Sequence, residues 1–300
     1  MGFNSVMLVV ETTSNQTKKE TVMKIAITLD SACDLTKEII EEYGFKVIPF
    51  GVNMGDRFIY DGEISTLEIF EWADANKTLP KTNAVNEEAF KEFFAETLKE
   101  NDAIIHFDIS SDMSSAYNNA VNAAKNFKNV YVIDSRTLST GIALLAIYAK
   151  KLTESIDNPK EIAEMVEKRT ADVQASFILE RLDYLHRGGR CSTIKLLGAN
   201  LLKLRPQIVV KDGSMGLGHK FRGKIDKCVT EYCNTVLEEN QNPDKSILFI
   251  THSHATEEMV NAAKEAVAEL GFKKVYITTA GCTVSSHCGK NTLGILFLNA

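Results

Sequence analysis

The chain has 300 residues, 44% hydrophobic and 25% charged, with a formal net charge of −6. That length accommodates two domains and the composition excludes a disordered protein. The acidic balance, without a strongly basic run, excludes nucleic acid as the main partner, and no apolar stretch approaches the roughly 18 residues a membrane helix needs.

Residues 1–22 have neither the basic start nor the long apolar core of a signal peptide, so they are expected to form a flexible extension, of the kind an upstream start codon adds. Strand-like apolar runs follow at Lys24–Leu29, Phe45–Phe50, Ala103–Ile109 and Val130–Asp134. Between them lie helical patterns, one of which places Ala89, Phe90, Phe93, Phe94 and Leu98 on a single face behind Asn86 as N-cap. Alternating strands and helices of this length imply a parallel sheet covered on both faces, so a first α/β domain is expected over residues 23–155. Its phenylalanines (Phe45, Phe50, Phe58, Phe70, Phe90, Phe93, Phe94, Phe107) are enough to line an apolar tunnel and equally suit an ordinary core.

A helical stretch from Thr137 to about Ser155 leads through Asp157-Asn158-Pro159 into a second series. Strands are expected at Ala175–Leu179, Pro206–Val210, Ser246–Thr251, Lys274–Thr279 and Leu293–Leu298, with helices near 191–204, 223–239 and 255–269. The second domain, residues 156–300, is therefore also expected to be α/β. Gly213–Gly218 (GSMGLG) has the wrong order for a dinucleotide fingerprint and reads as a hairpin turn.

Six cysteines, Cys33, Cys191, Cys228, Cys233, Cys282 and Cys288, lack the spacing of a disulfide framework or a zinc site. They read as reduced thiols of a cytoplasmic protein, and neither metal nor cofactor is expected. Ser114 follows the strand Ala103–Ile109 and opens a helical pattern, where it caps the helix or seats an anion at the helix N-terminus. Thr82 reads as a polar loop hydroxyl between Pro80 and the helix capped by Asn86, and His287 as a loop residue between two strands. Asp34 is expected to cap a helix starting at Leu35, with Asp30 and Ser31 organising the adjoining loop. Arg187 and Arg190 flank Gly188-Gly189 in LDYLHRGGRCS (Leu182–Ser192), a turn suited to an anionic ligand or acidic partner, or simply to ending a helix.

DSACDL (Asp30–Leu35), SSDMSSAYNNA (Ser110–Ala120), LDYLHRGGRCS, FRGK (Phe221–Lys224) and SSHCGKNTLGILF (Ser285–Phe297) occur in the order and spacing of the DegV family. The chain resembles these bacterial fatty-acid-binding proteins from about Met23 to its end. The resemblance implies two α/β domains with a ligand tunnel near their junction, and a fatty acid whose carboxylate is bound by Thr82 and Ser114. Ser286 and His287 fall in the loop matching the family's ligand end. It also implies a lipid carrier, not an autonomous enzyme, that delivers acyl chains to a fatty acid kinase for acyl-phosphate formation, with Arg190, Arg187 and Arg222 as candidates for docking that kinase. The competing reading is a serine-dependent hydrolase using Ser114 with His287 as base, although no Gly-x-Ser-x-Gly elbow is present. A carrier of another apolar carboxylate is the third.

Overall fold

The computed structural model describes residues 23–191 and 204–300. The helix expected near 191–204 and the expected extension over 1–22 therefore lie outside the described residues, except for Cys191 and Leu204. Three sheets organise the rest. The first is parallel throughout, in the order β2 (Lys46–Ile48), β1 (Ile25–Asp30), β6 (Ala103–Asp108), β7 (Val130–Asp134). Central β6 is buried along its whole length, as a strand covered on both faces must be. The helices α3 (Glu87–Leu98) and α4 (Ala116–Ala124) pack together on one face, and α5 (Thr140–Leu152) and α6 (Pro159–Glu167) on the other. Asn86 caps α3 by accepting from the Ala89 N–H at 2.9 Å, and Phe90 and Phe94 are buried beneath it.

The second sheet has six strands in the order β10 (Ser214–Arg222), β9 (Leu204–Lys211), β8 (Val173–Ile178), β13 (Thr292–Asn299), β11 (Pro243–Ser253), β12 (Lys274–Thr279). All its pairings are antiparallel except that of β11 with β12. Helices α8 (Ile225–Glu239) and α9 (Glu257–Val267) cover one face with the apolar cluster around Tyr232, Val229, Met259 and Phe297. The other face meets α5, so one apolar cluster runs from Ile27 and Leu29 of β1 through Ile142 and Leu145 to Phe249 and Leu296. Gly213–Gly218 is not all turn: the chain reverses at Asp212-Gly213, and the residues after it run on as β10.

A three-stranded antiparallel sheet, β4 (Arg57–Tyr60), β3 (Gly51–Met54), β5 (Lys81–Asn83), forms the third. Of the run Phe45–Phe50, read as one strand, only Lys46–Ile48 pairs, in the first sheet; Pro49, which has no N–H for a ladder, follows its end, and the chain enters the third sheet at Gly51. The helix α2 (Thr66–Asn76), capped by a Ser65/Glu68 box, buries Ile69 and Phe70 beneath this sheet. Thr82 thus lies on a strand, where the Val52 pairing fixes it, not in a loop. The helix expected from Thr137 starts instead at Thr140.

Candidate functional site

Where the parallel sheet, the small sheet and the six-stranded sheet converge lies a cavity of about 410 Å³, within the range of small-molecule sites. Thr82, Ser114 and Asn119 line it from one half of the chain, Arg190, Met215 and His287 from the other. Its apolar wall comes from Phe50, Ile109, Met113, Leu138, Met215 and Val284. Of the eight phenylalanines proposed for a tunnel, only Phe50 reaches it. Phe45, Phe70, Phe90, Phe94 and Phe107 are core and Phe58 is exposed.

His287 sits on the short helix α10 (Cys282–Cys288), not in a loop. Carboxylates far away in sequence hold that helix. Asp61 accepts from the Cys282 and Thr283 N–H groups at 2.6 and 3.1 Å and from the Ser31 hydroxyl at 3.1 Å. Asp34 accepts from the Gly281 N–H at 2.7 Å and the Ser139 hydroxyl at 2.5 Å. Burial pushes the Asp34 carboxyl well above the usual range. Asp34 therefore serves α10, while the helix after it, α1 (Lys37–Tyr43), is capped by Thr36. Asp30 accepts from the Ala32 and Ile109 N–H groups at 2.9 and 2.7 Å, binding the loops after β1 and β6 together. Replacing Asp61 by alanine leaves three donors without an acceptor and is expected to cost at least about 2 kcal/mol in denaturant unfolding.

The imidazole of His287 is largely enclosed. Its Nε2 lies 2.8 Å from Thr82 Oγ1, whereas Nδ1 is buried without a hydrogen-bond partner. Nδ1 faces Gly188, where a Cβ would come within 2.4 Å of it, so no larger residue fits there without displacing the ring. A proton on Nδ1 would be an unsatisfied buried donor, which assigns it to Nε2. Nε2–H then donates to Thr82, leaving the threonine's own hydrogen to donate into the cavity. The Ser114 hydroxyl accepts from the Ala116 N–H at 3.2 Å, which likewise leaves its hydrogen for a ligand. Ser114, at the start of α4, and Thr82 line the same cavity, and two hydroxyl donors there suit an anion, which they orient without neutralising.

Burial, then the charge of Arg190, lowers the His287 pKa to about 4. The ring is consequently neutral at pH 7. A histidine that stays neutral when folded but takes a proton near 6.5 when unfolded contributes stability above about pH 6.5, lost as pH falls towards 4. Denaturant unfolding should show up to about 3 kcal/mol of this loss. In His287→Gln that portion of the pH dependence should be absent. An identical dependence in both proteins would contradict the neutral-imidazole assignment.

Next to the mouth is a basic vestibule of about 430 Å³, lined by Lys77, Lys81, Arg187 and Arg190 and sharing Thr82, Arg190 and His287 with the cavity. The turn Gly188-Gly189 ends the helix α7 (Asp183–Gly188), with Gly189 at φ +72°. Arg190 donates to the Gly188 carbonyl at 2.7 Å and the Met113 carbonyl at 3.4 Å, so it ties this turn to the loop carrying Ser114. Arg187 lines the vestibule only. Arg222 ends β10 seven residues beyond Met215, about 23 Å along the strand, and lines neither space. Ser286 lines the vestibule, but its hydroxyl donates to the Cys282 carbonyl at 2.7 Å and has no second hydrogen to offer. Lys77 and Lys81 were not singled out from the sequence, since their meeting with Arg187 and Arg190 depends on the small sheet.

All six cysteines are buried and none is in a disulfide, and burial pushes the Cys282 and Cys288 thiols up to about 12. No group of three or more His, Cys, Asp or Glu able to hold a metal occurs among the described residues. Among them no helix is long and apolar enough to cross a membrane.

The structure is similar to a DegV family protein from Thermus thermophilus whose fatty acid binding has been described: TM-score 0.85, 26% identity, covering 93% of this chain and 100% of that one. In sequence, a fatty acid-binding protein of Thermotoga maritima is 29% identical over 287 residues, 91% of this chain and 96% of that protein. A DegV domain-containing protein of Clostridium perfringens is 30% identical over 280 residues, covering 92% and 98%. With the family model matching residues 24–300, nearly all of the chain, the protein belongs to the DegV family.

Proposed function

We propose that the protein binds one long-chain fatty acid in the junction cavity, holds its carboxylate with Thr82 and Ser114, and presents it to a partner fatty acid kinase. The observation that carries this reading is that two hydroxyl donors, Thr82 and Ser114, line one cavity together with the apolar side chains of Phe50, Ile109, Met113, Leu138, Met215 and Val284. The relatives that bind fatty acids support it. Affinity comes from the tail, where each buried methylene is worth about 0.8 kcal/mol and a chain of about 16 carbons on the order of 10 kcal/mol before ordering costs. The head is oriented and left ionised. A carboxylate oxygen facing the vestibule can then attack the phosphorus of a donor held by the kinase, displacing the donor's leaving group.

Residues 23–155 supply both hydroxyls in this reading, and residues 156–300 supply His287 and part of the apolar wall. Arg190 and Arg187 at the vestibule suit docking of an acidic kinase surface, because a guanidinium fork pairs bidentately with carboxylates and does not titrate. Arg222 would belong to a separate contact. A hydrolase is disfavoured by a specific contact: His287 Nε2 is spent on Thr82, and its Nδ1 has no carboxylate partner to orient it as a base.

The test is to extract the purified protein and identify what it carries, then to challenge it with a generic acyl ester. About one long-chain acid per chain without ester turnover supports the carrier. Sustained ester hydrolysis lost in Ser114→Ala would replace it with the enzyme.

A further inference from the structure

The β9–β10 hairpin reaches from the six-stranded sheet to the half of the chain that carries Ser114. β9 pairs with β8 only through Gln207–Val209, so the tip of the hairpin, Val210–Met215, extends past that neighbour. The tip places Met215 on the cavity wall, in one apolar cluster with Met113 and Leu138. Its turn is Asp212-Gly213, with Gly213 at φ +84°, a conformation that favours glycine. A Cβ on Gly213 would come within 2.5 Å of the guanidinium carbon of Arg136 and 2.7 Å of the Ser110 hydroxyl, so the tip lies directly against both.

Polar contacts fasten the tip to the loops that follow β6 and β7. The Ser110 hydroxyl donates to the Gly213 carbonyl at 2.7 Å, and the Ser214 hydroxyl donates to Asp112 Oδ2 at 2.7 Å. Arg136 donates to the Asp212 carbonyl, to Asp112 Oδ1 at 3.4 Å and to Ser111 Oγ at 3.4 Å, and its guanidinium lies 3.6 Å from Asp134. Asp134 accepts from the Ser111 N–H and hydroxyl at 3.2 and 2.6 Å, which fixes the loop to which the tip is tied. Ser110, Asp112, Arg136 and Ser214 line neither the cavity nor the vestibule. The side chains of Arg136 and Asp112 are 37% and 42% exposed, so water replaces their contacts readily and the tip can lift without unfolding the sheets.

We propose that the hairpin tip is a strap across the cavity, fastened by Arg136, Ser110 and the Asp112–Ser214 pair, and that its unfastening sets the rate at which the acyl ligand enters and leaves. The inference rests on the carrier reading above and adds to it the step that limits exchange. When a ligand passes through a rarely opened state, easier opening multiplies entry and release by the same factor, so both rates rise and Kd is unchanged. Loss of a side chain that merely held the ligand would raise release alone.

The experiment is stopped-flow mixing of delipidated protein with parinaric acid, a fluorescent polyene carboxylic acid, to read entry, followed by its displacement with excess hexadecanoic acid to read release. Arg136→Gln removes the charge and the donor fork, and should quicken both rates about tenfold while Kd stays within about twofold of wild type. Ser214→Ala removes one donor at an exposed position and should quicken both about threefold, which keeps the test available if Arg136→Gln folds poorly. Rates in the folded variants equal to those of wild type, or faster release with unchanged entry, would overturn the strap and leave the carrier reading intact. Failure of wild type to take up parinaric acid or any other long-chain acid would overturn both.

Discussion

Replacing Ser114 by alanine or Thr82 by valine is expected to weaken binding of a long-chain carboxylate about tenfold or more in each case. A hydrogen bond to a charged group contributes about 1.5 to 3 kcal/mol, and each change removes one donor while leaving the apolar wall in place. The double variant should lose less than the sum, because both hydroxyls address one head group and the second loss falls on a carboxylate already loosened. Titration of delipidated variants alongside a melting curve separates binding from folding. Full affinity in both single variants, with unchanged melting, would mean that the head group lies elsewhere.

The second large effect is expected at Arg190. Arg190→Glu should slow acyl-phosphate formation by the cognate kinase about tenfold or more, since reversing a charge at an interface replaces an attraction by a repulsion. Melting temperature should remain close to wild type, because the bonds Arg190 makes to the Met113 and Gly188 carbonyls lie at an exposed turn, and because Arg190 also lines the cavity the turnover is compared at saturating fatty acid. A steady-state assay with the kinase, run beside a binding titration, reads turnover and saturation together. A deficit that saturating fatty acid abolishes would assign Arg190 to holding the ligand, not the kinase, and normal turnover would remove the docking role.

Much of the framework was legible because local pattern and burial agree. Val130–Asp134 and Lys274–Thr279 are strands at the expected residues, and the Asn86 cap with its apolar face at Phe90 and Phe94 specifies α3 from sequence alone. The small sheet was not legible. Its strands are three or four residues long, too short for alternation to show, and β5 finds β3 across some thirty residues of intervening chain. The turn at Gly55-Asp56, with Gly55 at φ +64°, was the one local signal of the β3–β4 hairpin.

The site divides in the same way. Ser114 was readable as a helix-start hydroxyl because the strand and helix flanking it have strong periodicity. His287 was not readable as helical, because α10 has seven residues and its N-terminus is held by Asp61 and Asp34, more than 200 residues earlier. The Thr82–His287 contact, which orients the threonine hydroxyl, spans 205 residues and exists only once the small sheet and α10 are in place. Family resemblance pointed to these two side chains, and the fold brings them into contact.

The central claim is that Thr82 and Ser114 hold a fatty carboxylate in the junction cavity, and its most direct test is carbon-13 NMR of delipidated protein with carboxyl-labelled hexadecanoic acid. One bound resonance is expected, saturating at about one acid per chain, ionised at pH 7 and displaced in both Thr82→Val and Ser114→Ala. No bound resonance, or one that both substitutions leave unmoved, would contradict the account.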